Sequence, residues 1–249
     1  MSNYILFHSN SSITGKELRT VLNISGGSED SGERNTHLIR WGNRTNIRFN
    51  PNKTLNKKEA LDNSSNKRRA LELLTQSNIK TVPLVERFTG EFLVARKDSH
   101  QQGKNFYLVA SQKDFELTQH LGCTHYTTFI SCDREYRIHV FRNEIIGIAE
   151  KRMSDHCTSL TIRNFSNGWN FKYIENCDEE LKTIAKNTVI SLGLDFAAVD
   201  IMRSVNNNIY ILEANSAPAL VVERDGGEID RMPIFEKYVL KFREWLNER

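Results

Sequence analysis

Apolar residues recur with two different periods along this chain, and the places where the period changes mark its elements. Near the C-terminal end, the apolar runs Phe196–Met202 and Ile209–Ala214 flank the polar triplet Asn206-Asn207-Asn208, the pattern of a β-hairpin. Asparagine tolerates the positive φ of tight hairpin turns, so Asn206-Asn207 is expected to form a two-residue turn with Val205 paired to Asn208. Counting outward then sets Asp200 opposite Glu213, and Asn215 falls on Glu213's face because side chains alternate along a strand. Three oxygen-bearing side chains converge there. Two of them are carboxylates, so a cationic group is expected between them.

The remaining pattern alternates between strands and helices. Tyr4–Phe7 and His37–Trp41 read as strands around a helix, Gly15–Leu22, with a Gly- and Ser-rich loop at Ser25–Asn35. Asn43–Lys58, which holds Arg44, Arg48, Lys53, Lys57 and Lys58 among many asparagines, reads as a solvated loop. Ser64-Ser65 are expected to cap a helix over Lys67–Gln76, with Leu71 and Leu74 inward. Strands follow at Glu91–Ala95 and Phe106–Ala110 across a polar loop, then a helix over Gln112–Leu121 closed by Gly122, and a strand at Tyr126–Ile130. In Arg134–Phe141 the alternation is clean: Glu135, Arg137 and His139 on one face, Tyr136, Ile138 and Val140 on the other. The turn Arg142-Asn143-Glu144 returns the chain along Ile145–Glu150. Asp178 is expected to cap a helix through Leu192 that Gly193 ends, and Pro233 opens a closing helix with Phe235, Tyr238, Val239, Phe242, Trp245 and Leu246 in one core-facing stripe.

Composition narrows the function classes. With 249 residues, 39% hydrophobic and 26% charged, the chain can bury a sizeable core in one domain or in two or three lobes. A net charge of +3 does not argue for nucleic acid, no apolar run reaches the roughly 20 residues of a membrane span, and Met1–Asn10 carries no secretory pattern. Cys123, Cys132, Cys157 and Cys177 stand without a CxxC pair or matching histidines and read as free thiols in a reducing cytoplasm.

Hard oxygen ligands in a small, open set suit Mg²⁺, which keeps waters and takes further ligands from phosphates; a charged hairpin face kept for solubility is the plain alternative. The string decides between them. Asp200, then Glu213-x-Asn215-x-x-Pro218 after an apolar strand, resembles the metal-binding end of the ATP-grasp superfamily, with a likeness to ribosomal-protein glutamate ligases and compact ATP-grasp proteins of bacteria and their phages. The resemblance runs from about Asn66 to Leu220. It implies Mg²⁺ (or Mn²⁺) on Asp200, Glu213 and Asn215, and ATP held between two sheets. Lys67 and Arg96 would reach phosphates and Gly103 would lie in a phosphate-covering loop. Backbone groups of Thr128, Phe129 and Ile130 would meet adenine, and Glu135 would meet ribose. Arg137, Lys151 and Arg163 would act on phosphates or the acyl intermediate, and Asn164 would approach the triphosphate and metal.

The implied fold is α/β: an ATP-grasp core of two α+β lobes, at 64–130 and 131–249, behind a small leading α/β lobe at 1–63. The implied activity is carboxylate–amine ligation through an acylphosphate, joining an amino acid, peptide or protein carboxylate to an amine in the cytoplasm. Arg96 where the family commonly has Lys, Asn105 for a second loop glycine, and Ala219 for the glycine after Pro218 keep a second reading open, a nucleotide-binding ATP-grasp module without ligase activity. The basic 44–58 segment supports a third, binding of nucleic acid or an acidic partner, which the rest of the chain does not favour.

Overall fold

The computed structural model describes residues 3–29, 37–47, 50–97, 106–163, 165–224 and 226–248. In chain order its elements are β1 (Tyr4–Phe7), α1 (Ile13–Leu22), β2 (Ser25–Gly27), β3 (Leu38–Trp41), β4 (Thr54–Leu55), α2 (Lys58–Ser65), α3 (Lys67–Gln76), β5 (Leu93–Arg96), β6 (Phe106–Val109), α4 (Gln112–His120), β7 (His125–Thr128), β8 (Cys132–Phe141), β9 (Glu144–Met153), β10 (Trp169–Ile174), α5 (Glu179–Ser191), β11 (Phe196–Ser204), β12 (Ile209–Asn215), β13 (Val221–Glu223), β14 (Ile229–Arg231) and α6 (Phe235–Leu246). They build a parallel sheet in the order β2-β1-β3-β4, an antiparallel sheet β6-β5-β7, a large antiparallel sheet β10-β9-β8-β11-β12, and a β13-β14 ribbon.

The large sheet is the frame. One face, carrying Tyr136, Ile138, Val140, Ala197, Val199 and Ile201, is buried under α5, with α2 and α3 contributing Ala60, Leu61, Ala70 and Leu74. The opposite face is divided. Its Phe141 and Phe196 end packs against β1, β3, α1 and the apolar stripe of α6, where Trp41, Tyr238 and Phe242 stack or meet edge-on with the two phenylalanines. The end carrying Glu135, Arg137 and Asp200 is left to the charged groups of a cleft. His139 lies between the two, fully buried, its ring 5.7 Å from that of Tyr238. The backbone passes close enough to the residue before α6 that a Cβ at Gly147 would lie 2.2 Å from Ile234 Cδ1, so a larger residue there would require the Ile234 side chain to move.

Asn56 joins the parallel sheet to the large one. It is wholly buried, and its amide oxygen accepts from the backbone N–H of Asp195 at 2.8 Å and of Phe196 at 3.1 Å, while its amide nitrogen donates to the Phe196 carbonyl at 3.0 Å.

Several expectations shift on contact with the structure. The Lys67–Gln76 helix is capped by Asn66, whose side chain accepts from the Arg69 N–H, because Ser64 and Ser65 already end α2. That eight-residue helix and the short β4 lie in and just beyond a stretch read as loop; both hold few apolar residues, and their burial comes from the sheets they meet. Ser25–Gly27 is an edge strand rather than loop. Asp178 makes no side-chain cap bond to α5 and pairs with Arg203 instead. The β11–β12 turn has three residues, Val205-Asn206-Asn207, with Asn207 at φ 59° and Ser204 paired to Asn208. One extra residue at Leu212 then restores the count, so Asp200 still faces Glu213.

Asn56→Gly keeps the positive φ of 56° while removing the side chain. It leaves buried backbone groups at 195 and 196 unpaired, and should lower unfolding free energy by about 3 kcal/mol in urea denaturation. A change under about 1 kcal/mol would show that these bonds do not hold the two sheets together.

Candidate active site

The cleft floor is read across the strands of the large sheet. Arg137 on β8 pairs with Ala149 on β9 and with Asp200 on β11, and Asp200 pairs with Glu213 on β12, so these positions stand side by side on one face. Arg137 donates from Nε and Nη2 to the two Asp200 oxygens, each at 2.7 Å. Its guanidinium lies 4.2 Å from the Phe171 ring, over which the Lys151 ammonium also sits at 5.0 Å. Lys151 in turn holds Glu135. From α3, Lys67 reaches Glu213 at 2.8 Å. The cation expected between the carboxylates is therefore supplied by the protein itself, as two cations, one on each.

Electrostatics tie the group together. Burial alone would pull the Arg137 guanidinium down, but Asp200, Glu213 and Glu135 hold it well above the ordinary arginine range. Burial pushes the Glu135 carboxyl up against the opposing pull of Lys151. Burial also pushes the Glu213 carboxyl up, but Lys67, Arg137 and Arg96 outweigh it and hold Glu213 at about 2. His139 behind the cleft is lowered to about 3 by burial and by Arg137, and its Nδ1 lies 3.2 Å from the Tyr238 hydroxyl.

Arg96 is different. It ends β5 on the antiparallel sheet, and burial drives its guanidinium below the ordinary range although Glu213 and Glu135 oppose that. Among the described residues its side chain makes no hydrogen bond or ion pair, and its guanidinium lies 5.6 Å from the Phe106 ring. An enclosed guanidinium without a bonded partner is a place for an anion.

The other expected positions divide. Thr128 ends β7, and Phe129 and Ile130 follow it; the N–H groups of Thr128 and Phe129 already donate to the carbonyls of Pro83 and Phe92. Ile130, more than Phe129, joins an apolar cluster, with Leu71, Val82, Met202, Tyr210 and Leu212. Residues from five separate segments meet there, so no periodicity within one segment could have found it. Arg163 binds backbone carbonyls of Leu160, Asp133 and Cys132 and stacks on Trp169 at 4.5 Å, tying its loop to β8. Gly103, the rest of the Gln101–Asn105 loop and Asn164 lie outside the described residues, as does Arg48 of the basic segment.

Asp200, Glu213 and Asn215 share the face, although Asn215 pairs with Ala198 and its Oδ1 accepts from the Ala217 N–H at 2.9 Å. Two carboxylates and an amide oxygen are hard donors, and a carboxylate bound to one cation keeps lone pairs free. These are donors of the type a small divalent cation takes, here with Asp200 held by Arg137 and Glu213 by Lys67, and among the described residues no three His, Cys, Asp or Glu side chains cluster as a metal site.

No protein-family model matches the chain, and no curated protein does. Solved structures do. The ATP-grasp ligase PsnB complexed with its minimal precursor aligns over 99% of this chain and 100% of its own at TM-score 0.69 and 11% identity. The chain has the ATP-grasp fold. The D-alanine–D-alanine ligase of Bacillus anthracis shares that fold at TM-score 0.64 and 13% identity, covering 87% of this chain and 86% of that one. So does the macrocyclase MdnC of Microcystis aeruginosa MRC, bound to its precursor peptide MdnA, at 0.64 and 11% over the whole of both chains. The β6-β5-β7 sheet brings Arg96 near enough to the large sheet for Glu213 and Glu135 to act on its guanidinium. All four cysteines are unbridged, and among the described residues no helix is long and apolar enough to cross a membrane.

Two outcomes follow. Glu213 is depressed, so its contribution to stability is present above its ordinary value of 4.5 and lost as pH falls through about 2. Its side chain is 35% exposed, so screening softens that loss. Lys67→Met should move the Glu213 carboxyl ¹³C titration upward by NMR; an unmoved midpoint would show that Lys67 does not hold it. Asp200→Ala strands the Arg137 guanidinium and should lower the unfolding free energy by about 3 kcal/mol in urea denaturation.

Proposed function

We propose that this protein is an ATP-dependent carboxylate–amine ligase. The observation that carries the reading is Arg96, whose guanidinium has no bonded partner among the described residues, facing a floor where Arg137, Lys151 and Lys67 are each already matched by Asp200, Glu135 and Glu213. With Arg163 included, five cations meet three carboxylates, a net excess that suits a nucleotide triphosphate carrying a divalent ion. The Ile130–Met202–Leu212 cluster is the apolar place for the base.

When bound by Asp200, Glu213 and Asn215, Mg²⁺ would offset phosphate charge and act as a Lewis acid. The chain's own residues do the rest. Arg96 and Lys151 neutralise charge on the transferring phosphoryl group, and the Phe171 ring holds Arg137 and Lys151 in place beneath it. The γ-phosphoryl passes to a substrate carboxylate oxygen as its bond to ADP breaks. The amine nitrogen then attacks the acyl carbon and phosphate leaves. PsnB and MdnC hold precursor peptides, which supports a peptide or protein as one substrate.

ADP release by purified protein with Mg²⁺, against a panel of amino acids, peptides and polyamines with product mass measured, tests the reading. Acceptor-dependent release with a condensed product is expected; nucleotide binding without any release would instead favour a binding module. Arg96→Ala should weaken ATP about ten- to a hundredfold and Arg96→Lys less, by calorimetry. Glu213→Gln should abolish turnover with an unchanged circular dichroism spectrum. Equal ATP affinity in wild type and Arg96→Ala would remove the central support.

A further inference from the structure

A second surface stands away from the cleft, at the outer edge of the large sheet. β10 pairs with β9 only from Ile148 to Met153, because Ile174 ends β10 opposite Ile148 and the chain turns away toward α5. Glu144–Gly147 thus have β8 on one side and, among the described residues, no strand on the other. This bare edge opens into a groove of about 700 Å³. Helices α5 and α6 cover opposite faces of the sheet, and both overhang the groove with lysines: Lys182 and Lys186 from α5, Lys237 from α6. Lys182 is paired with Glu179, whereas Lys186 and Lys237 make no ion pair among the described residues. The groove wall between them holds the partly buried Ile145 and Ile174.

We propose that this edge binds an extended acidic segment of a polypeptide by strand addition. The geometry selects that occupant over a compact anion. Backbone groups of Glu144–Gly147 supply a short ladder, bent by the bulge at Ile146 where β9 gains one residue on β8, and side chains of an added strand alternate between the two faces of the sheet. Acidic side chains on one face meet Lys182 and Lys186, and those on the other meet Lys237. Apolar stems along the same strand cover Ile145 and Ile174. A sheet edge is usually blunted by charges on the strand itself, by proline or by a bulge; here β9 is bulged at Ile146 and Glu144 is held by Lys241, while Ile145-Ile146-Gly147 are uncharged and the lysines of the flanking helices outnumber Glu175, the other acid of the lining.

The test is fluorescence anisotropy with a fluorescein-labelled eight-residue peptide alternating Glu and Val, in the full-length protein saturated with a non-hydrolysable ATP analogue to close the nucleotide cleft. Saturable binding is expected, with about fivefold weakening in Lys186→Glu/Lys237→Glu. Methylating alternate backbone nitrogens of the peptide should weaken it more than tenfold when the methylated edge faces β9. Arg96→Ala should leave it unchanged, so failure here and failure of the ligase reading are separable. Binding that survives backbone methylation on either edge, or that the double lysine variant leaves unchanged, overturns strand addition. So does competition by the ATP analogue, which would place the peptide in the cleft. Sedimentation showing that Glu144–Gly147 is covered by a second copy of the chain also overturns it.

Discussion

A guanidinium bonded through two nitrogens to the carboxylate of the next strand organises this cleft. Arg137 and Asp200 are neighbours in register, largely buried, and each would be costly to bury without the other. Their pairing lets a run of charges sit on the face of a sheet whose continuation is aromatic core. Lys151 does the same for Glu135 and Lys67 for Glu213, so each carboxylate on the floor is compensated before any ligand arrives. What remains uncompensated is Arg96, on the opposing sheet. An anion entering between the sheets meets a charge excess that folding has already created, in a place where water screens it weakly.

The same face explains why the ends of the chain matter to its middle. Beyond Arg137, the face becomes His139 and Phe141, covered by Tyr238 and Phe242 of the last helix and by Trp41 of the first sheet. Burial and the nearby guanidinium keep His139 neutral, so the change from charge to aromatic packing occurs over a few residues without a buried unpaired cation. Asn56 anchors the first sheet to the start of β11, the strand that carries Asp200 four residues on. The geometry of the cleft floor thus rests on packing contributed by residues that never touch it.

Periodicity along the chain accounts for most of the longer strands and helices and for one pairing that matters. Clean alternation in Arg134–Phe141 announced that Glu135, Arg137 and His139 share a face, since a strand has a period of two and nothing else satisfies it. The Asp200–Glu213 pairing was reached from a two-residue turn; the molecule reaches it with a three-residue turn and one bulged residue, two shifts that cancel. Local pattern constrains which faces are buried, and that constraint survives a change of turn. Tertiary structure alone decided which cation meets which carboxylate, that Arg163 braces its loop through backbone carbonyls, that Asp178 leaves its helix to pair with Arg203, and that α2 forms at all. These outcomes depend on groups brought together from distant parts of the chain, where a few kcal/mol of desolvation and pairing outweigh local propensities of a few tenths.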